Sequence, residues 1–161
     1  MTMNRFLKMY NDCSKYPFGK AIFSFLYSTH VPYFLTISPI VQEMKPGHAS
    51  ISLKQKWLLH NHIKSVHAIA VCNLVEACMA LVAEASIPSD LRWLPMGMDV
   101  SYEKKAYGKL TASSDIDPQT FFKLDKYPGP VAVPVIVKNE IGDIVTTAKV
   151  RLWISKIKKD V

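Results

Sequence analysis

Residues 66–85 read VHAIAVCNLVEACMALVAEA. Apolar residues sit on every side of the stretch. Its apolar residues leave no polar face, so the helix it predicts is buried nearly all round. Ser65 is the expected N-cap, and Ile87-Pro88-Ser89-Asp90 supplies the stop, because the residue before a proline is pushed out of the helical region. Near the middle stands a single carboxylate, Glu76. A buried carboxylate costs several kcal/mol unless it is paired, hydrogen-bonded or protonated. Glu76 therefore has a partner or a use. Glu84, near the end of the helix, reads as a solvated residue. Cys72 and Cys78 read as small core residues.

Outward from this helix the pattern changes period. Thr36 to Met44 reads as a strand, Lys45-Pro46-Gly47 as a turn, and His48 to Leu53 alternates as a second strand hairpinned to the first. After the helix, Trp93 to Tyr102 and Ala106 to Asp115 read as strands joined through Glu103-Lys104-Lys105. Residues 116–129 form a loop with one helical turn. Val131 to Lys138 and Ile144 to Ile157 form a last hairpin. Ahead of all this, residues 3–12 and 17–28 carry helical spacing, with Pro17 suited to a first turn. Helices and strands are segregated, so the class is α+β: a largely antiparallel, curved sheet around a long central helix. Residues 1–35 form an N-terminal helical extension and residues 36–161 a single domain.

The chain has 161 residues, 49% hydrophobic and 20% charged, and a net charge of +7. That balance excludes disorder as the main state. The basic residues are scattered, without a basic helix or an aromatic-basic interleave, so nucleic acid is not an expected partner. Three cysteines without CxxC spacing argue against a disulfide framework or a zinc site. No compact ligand pattern joins His60, His62 and His67 to carboxylates, so no metal is expected. The first twenty residues lack the apolar core and cleavage site of a signal peptide. Phe18 to Val41 is interrupted by Lys20, His30, Pro32 and Pro39, so no stable membrane insertion is expected. A reducing, cytoplasmic setting fits.

Asn61, five residues, His67, eight residues, then Glu76 is a spacing that resembles the hotdog-fold acyl-CoA thioesterases, in particular the phenylacetate-pathway-like branch. The segment MDVSYEKKAYGKLTASSDI (98–116) is similar to the strand-turn-strand that follows the helix in that family. The resemblance covers roughly residues 36 to 157 and implies hydrolysis of a coenzyme A thioester. By position, Glu76 would be the general base or nucleophile, and the N–H of Ala68 the donor that polarises the carbonyl. Asn61 would hold the thioester or water, and His67 would orient the start of the helix. Lys104, Lys105 and Lys109 read first as a solvated hairpin turn, with contact to the phosphates of coenzyme A as the functional alternative; coenzyme A enters as part of the substrate and not as a separate cofactor.

Ala68 and Glu76 lie eight residues apart on one helix, about 12 Å. One carbonyl cannot touch both. If both act, they come from different chains, and the resemblance accordingly implies a homodimer or a dimer of dimers with sites at the interface. The family usually has glycine after the His and shortly before it; here Ala68 and Lys64 stand there. One branch has a hydroxyl one turn beyond the carboxylate; here it is Ala80. Two other readings share the fold: a non-catalytic acyl-CoA- or lipid-binding dimer, and, less well supported, a hydratase or dehydratase.

Overall fold

A computed structural model describes residues 4–121 and 127–157. In chain order these hold α1 (Arg5–Cys13), α2 (Gly19–His30), β1 (Ile40–Lys45), β2 (His48–Lys54), α3 (Ala68–Ser86), β3 (Leu91–Tyr102), β4 (Lys109–Asp115), β5 (Gly129–Lys138) and β6 (Ile144–Lys156). Short 3-10 turns at Pro32–Thr36, Trp57–Leu59 and Pro118–Phe121 connect them. The architecture is α+β, a six-stranded antiparallel sheet around α3 with helices at its N-terminal end. The expected strand at 36–39 is instead the last residue of a 3-10 turn and three linking residues. Of the expected loop at 116–129, residues 122–126 lie outside the described residues, as do residue 3 and the basic tail beyond Ile157.

The sheet order is β1-β2-β4-β5-β6-β3. The expectation that β3 and β4 pair as a hairpin is therefore corrected. β3 pairs only with β6, along Leu91 to Tyr102, while β4 lies between β2 and β5. The segment after Tyr102 crosses from one edge to the middle of the sheet, which leaves β3 as an edge strand. The last hairpin, β5 with β6, is as expected. In β5, Val131, Val133, Val135 and Val137 point into the core and alternate with exposed residues, the period-2 pattern of a strand with one buried face.

Helix α3 is packed by Leu74, Val75, Met79, Leu81 and Val82, all fully buried. By length and composition it is apolar enough to cross a membrane, but 67% of it is buried inside this fold. One stripe at four-residue spacing, Ala68, Cys72 and Glu76, remains only half-buried; it is closed at Ala80, which is buried, and Glu84 is again half-buried one turn further on. The cap differs from expectation. Val66 is held extended by a bridge to His60, so the helix begins one residue after His67, whose ring caps it.

The N-terminal helices join the same core. Phe23, Tyr27 and Phe34 are buried; Phe23 is in ring contact with Tyr10, and Tyr27 with Phe6, Phe23 and Phe34, and the Tyr27 hydroxyl donates to the Ala77 carbonyl of α3 at 3.3 Å. The turn between α1 and α2 requires Gly19: an added Cβ would lie 1.8 Å from the Cys13 carbonyl oxygen.

Candidate active site

The segment between β2 and α3 is braced on both sides. Gln55 accepts from the Gly108 N–H (2.7 Å) and donates to the Lys64 carbonyl (2.8 Å). The Val66 N–H donates to Ala106 (2.8 Å), and the His67 N–H to Leu59 (2.7 Å). Asn61 Oδ1 accepts from the N–H groups of Ile63 (3.0 Å) and Ser65 (3.1 Å), while its Nδ2 donates to Ser65 Oγ (2.8 Å). Asn61 is thus first a loop organiser, with one amide hydrogen left over. Lys64, where the family usually has glycine, has φ 62°. The left-handed turn that glycine favours is retained by a residue that pays strain for it.

At the start of α3 the His67 Nδ1 accepts from the Ile69 N–H at 3.1 Å. That bond needs an unprotonated Nδ1, which assigns the ring a capping role. The Ala68 N–H, by contrast, has no acceptor among the described residues. Such free N–H groups at a helix start attract developing negative charge.

Ala68, Asn61, Lys104 and Lys105 line one cleft of about 360 Å³, together with Tyr102 and Val71. His67 lines a different cavity of about 200 Å³ beside Tyr33, Leu58 and Asn73. Lys104 is ion-paired with Asp143 at 3.0 Å, and that lysine holds the Asp143 carboxyl below its usual range. Lys105 is exposed. Glu76 lines neither cavity. It is half-buried on the α3 stripe, two turns beyond Ala68, and makes no hydrogen bond or ion pair among the described residues.

Glu84 corrects the expectation of a solvated residue. It is half-buried; its Oε2 accepts from Asn4 Nδ2 at 2.7 Å and its Oε1 from Trp93 Nε1 at 3.0 Å. Cys72 also departs from a plain core role. It is half-buried, with Sγ 3.0 Å from the Tyr102 hydroxyl, which donates to the Ala68 carbonyl at 3.4 Å. Burial, then the bond to Cys72, pushes Tyr102 up to about 12, so its hydroxyl stays a donor at neutral pH. Tyr102 is the residue that sequence reasoning missed. The register of β3 slips between Pro95 and Gly97, and this bulge lets Trp93 and Tyr102, nine residues apart, both reach α3.

Among the described residues no group of three or more His, Cys, Asp or Glu side chains is arranged to hold a metal ion. The three cysteines are free.

A family model described as a domain of unknown function, DUF4442, matches residues 19–154, so it includes α2. A crystal structure known only as a genomics protein is 31% identical, covers 94% of this chain and 99% of its own, and superposes with a TM-score of 0.78. A Pseudomonas aeruginosa protein of unknown function, called a probable thioesterase, is 16% identical over 88% of this chain and 97% of its own, with a TM-score of 0.77. A Staphylococcus aureus thioesterase enzyme is 17% identical over 77% of this chain and 98% of its own, with a TM-score of 0.65. No curated protein sequence matches significantly. The fold is the hotdog fold, as the Asn61–His67–Glu76 spacing implied, and the chain belongs to the DUF4442 family.

Proposed function

We propose that the protein is an acyl-CoA thioesterase that works as a homodimer. The observation that carries this reading is the pairing, on one half-buried stripe of α3, of an unpartnered carboxylate (Glu76) with an unsatisfied N–H (Ala68). A free N–H at a helix start is ordinary, but a half-buried carboxylate without a partner on the same face is costly unless it has a use. The stripe lies beside β3, whose outer edge is unpaired among the described residues and presents Leu94 and Met96 at 59% and 55% exposure. An apolar open edge of this kind favours a second copy of the chain. Across a two-fold axis, Glu76 of one subunit meets the helix start of the other.

In this reading the thioester carbonyl points at the Ala68 N–H and the Tyr102 hydroxyl. Glu76 of the partner subunit takes a proton from water as the water oxygen attacks the carbonyl carbon. The negative charge that forms on the carbonyl oxygen is met by the Ala68 N–H, a donor worth about 10²–10³ in rate, and by the Tyr102 hydroxyl once it swings from the Ala68 carbonyl. The C–S bond then breaks, the proton passes to the thiolate, and a carboxylic acid and free coenzyme A leave. Tyr102 supplies from β3 the hydroxyl that Ala80 cannot supply from the helix. Lys105, with no ion pair among the described residues, is placed for a coenzyme A phosphate; Lys104 must first give up Asp143.

The test is thiol release from short-, medium- and long-chain and aromatic acyl-CoAs, with Glu76→Ala as control. Turnover by wild type and its loss in the variant support the proposal. Tight binding of acyl-CoA without turnover by the wild type overturns it in favour of a binding module, for which Ala80 is the favouring observation.

A further inference from the structure

The segment Lys54-Gln55-Lys56-Trp57-Leu58-Leu59-His60-Asn61-His62-Ile63-Lys64 carries an exposed surface that the reaction does not use. In the 3-10 turn Trp57–Leu59, Leu59 is buried while Trp57 and Leu58 are 81% and 80% exposed, and Ile63 is 45% exposed. Adjacent Trp and Leu side chains left in water on a braced loop mark an interaction surface and not slack. The bracing comes from Gln55 on both sides, from the Val66–Ala106 bond and from the His67–Leu59 bond. Lys54, Lys56 and Lys64 border the patch, all exposed and without an ion pair among the described residues. From Met44 to Val75 the sequence has no Asp or Glu at all. The carboxylate that shares a cleft with Lys54 is Glu140, and it accepts from the Lys109 N–H.

From this we infer that the Trp57–Leu58 turn docks the protein on an anionic lipid bilayer. Indole rings settle at the boundary between headgroups and acyl chains. Lysines reach from such a position to the phosphates with their stems on the apolar side, and each adds attraction to a negatively charged surface. A second copy of the chain fits the patch less well, because it brings the same net charge of +7 to a segment that has no acidic residue of its own. Asn61 in the same loop lines the 360 Å³ cleft, and Leu58 lines the 200 Å³ cavity. Docking therefore sets both openings at the bilayer surface, where long-chain amphiphiles collect. The inference stands whether or not the protein hydrolyses thioesters.

The full chain is sedimented with vesicles of phosphatidylcholine alone and with roughly a third phosphatidylserine added, at low and high salt. Wild type is expected to bind the anionic vesicles, not the neutral ones, and to release them as salt rises. Lys54→Gln/Lys56→Gln/Lys64→Gln is expected to weaken binding on the order of 100-fold, about fivefold per lysine. Trp57→Ser/Leu58→Ser is expected to weaken it at least about tenfold, and Phe18→Ser/Phe25→Ser, a change of the same kind on α2, to leave it unchanged. The inference fails if wild type ignores anionic vesicles, or if the patch variants bind as wild type does. It also fails if Trp57→Ser/Leu58→Ser lowers the solution mass by light scattering while no form binds vesicles, which would make the patch a contact between subunits.

Discussion

The two ends of α3 are built to opposite standards. At the C-terminal end polar groups are satisfied. Glu84 has both carboxylate oxygens held, by Asn4 from α1 and Trp93 from β3. Ser86 Oγ donates to the Val82 carbonyl and accepts from the Gly47 N–H. Towards the N-terminus, among the described residues, the Ala68 N–H has no acceptor and the buried Asn73 Oδ1 has no partner, and Lys64 is held in a left-handed conformation. Glu76, between the two ends, has no partner among the described residues. One helix thus carries a structural carboxylate and an unused one eight residues apart. The first stitches α1 and β3 to the helix; the second costs stability unless a ligand, water or a partner subunit completes it.

The largest expected effect breaks this contrast most directly. Glu76→Gln keeps the shape and removes the proposed base, so turnover should fall by about 10²–10⁴ while the urea midpoint moves little. A Glu76→Gln protein that keeps its rate, or that unfolds more easily, would put Glu76 in the same class as Glu84. Glu84→Ala should do the reverse. It strands two donors of a half-buried charged network, at a cost of about 1.5–3 kcal/mol in denaturant unfolding, and leaves kcat near that of wild type.

What was legible in the sequence divides along the same line. The central helix, the β1–β2 and β5–β6 hairpins and the α+β class follow from local periodicity and turn residues, and all are present. The placing of β3 was not legible, because chain neighbours β3 and β4 lie apart in the sheet and the partner of β3 is decided by pairing with β6, far along the sequence. Glu84 was misread for a similar reason: its two donors come from residues 4 and 93. Ser65 and His67 are both plausible caps by type. Only the His60–Val66 bridge, together with Asn61 taking the Ser65 hydroxyl, hands the cap to His67. Among the candidate site residues, Asn61, Ala68, Lys104 and Lys105 line one cleft, a juxtaposition set by the crossing of the chain after Tyr102 and not by sequence spacing. Tyr102 reaches α3 by way of a bulge that no motif announces.

Two smaller effects sharpen the comparison at the N-terminal end. Tyr102→Phe removes a hydroxyl from the cleft without changing its shape. A kcat lowered about tenfold with KM unchanged would mean that the hydroxyl meets charge only in the transition state. Equal rates would confine it to bonding Cys72 and Ala68. The smallest expected effect concerns Lys64. Its left-handed backbone costs a side-chain-bearing residue about 1–2 kcal/mol. Glycine removes that cost but adds about 0.4–1 kcal/mol of unfolded-state entropy. Lys64→Gly should therefore raise stability by a net amount of about 0.5–1 kcal/mol, measured as a higher urea midpoint at unchanged slope. A stabilised variant with altered turnover would mean that strain at the start of α3 serves the site. A stabilised variant with the same turnover would mean that the lysine is kept for a surface property instead, and the vesicle assay reads that property directly.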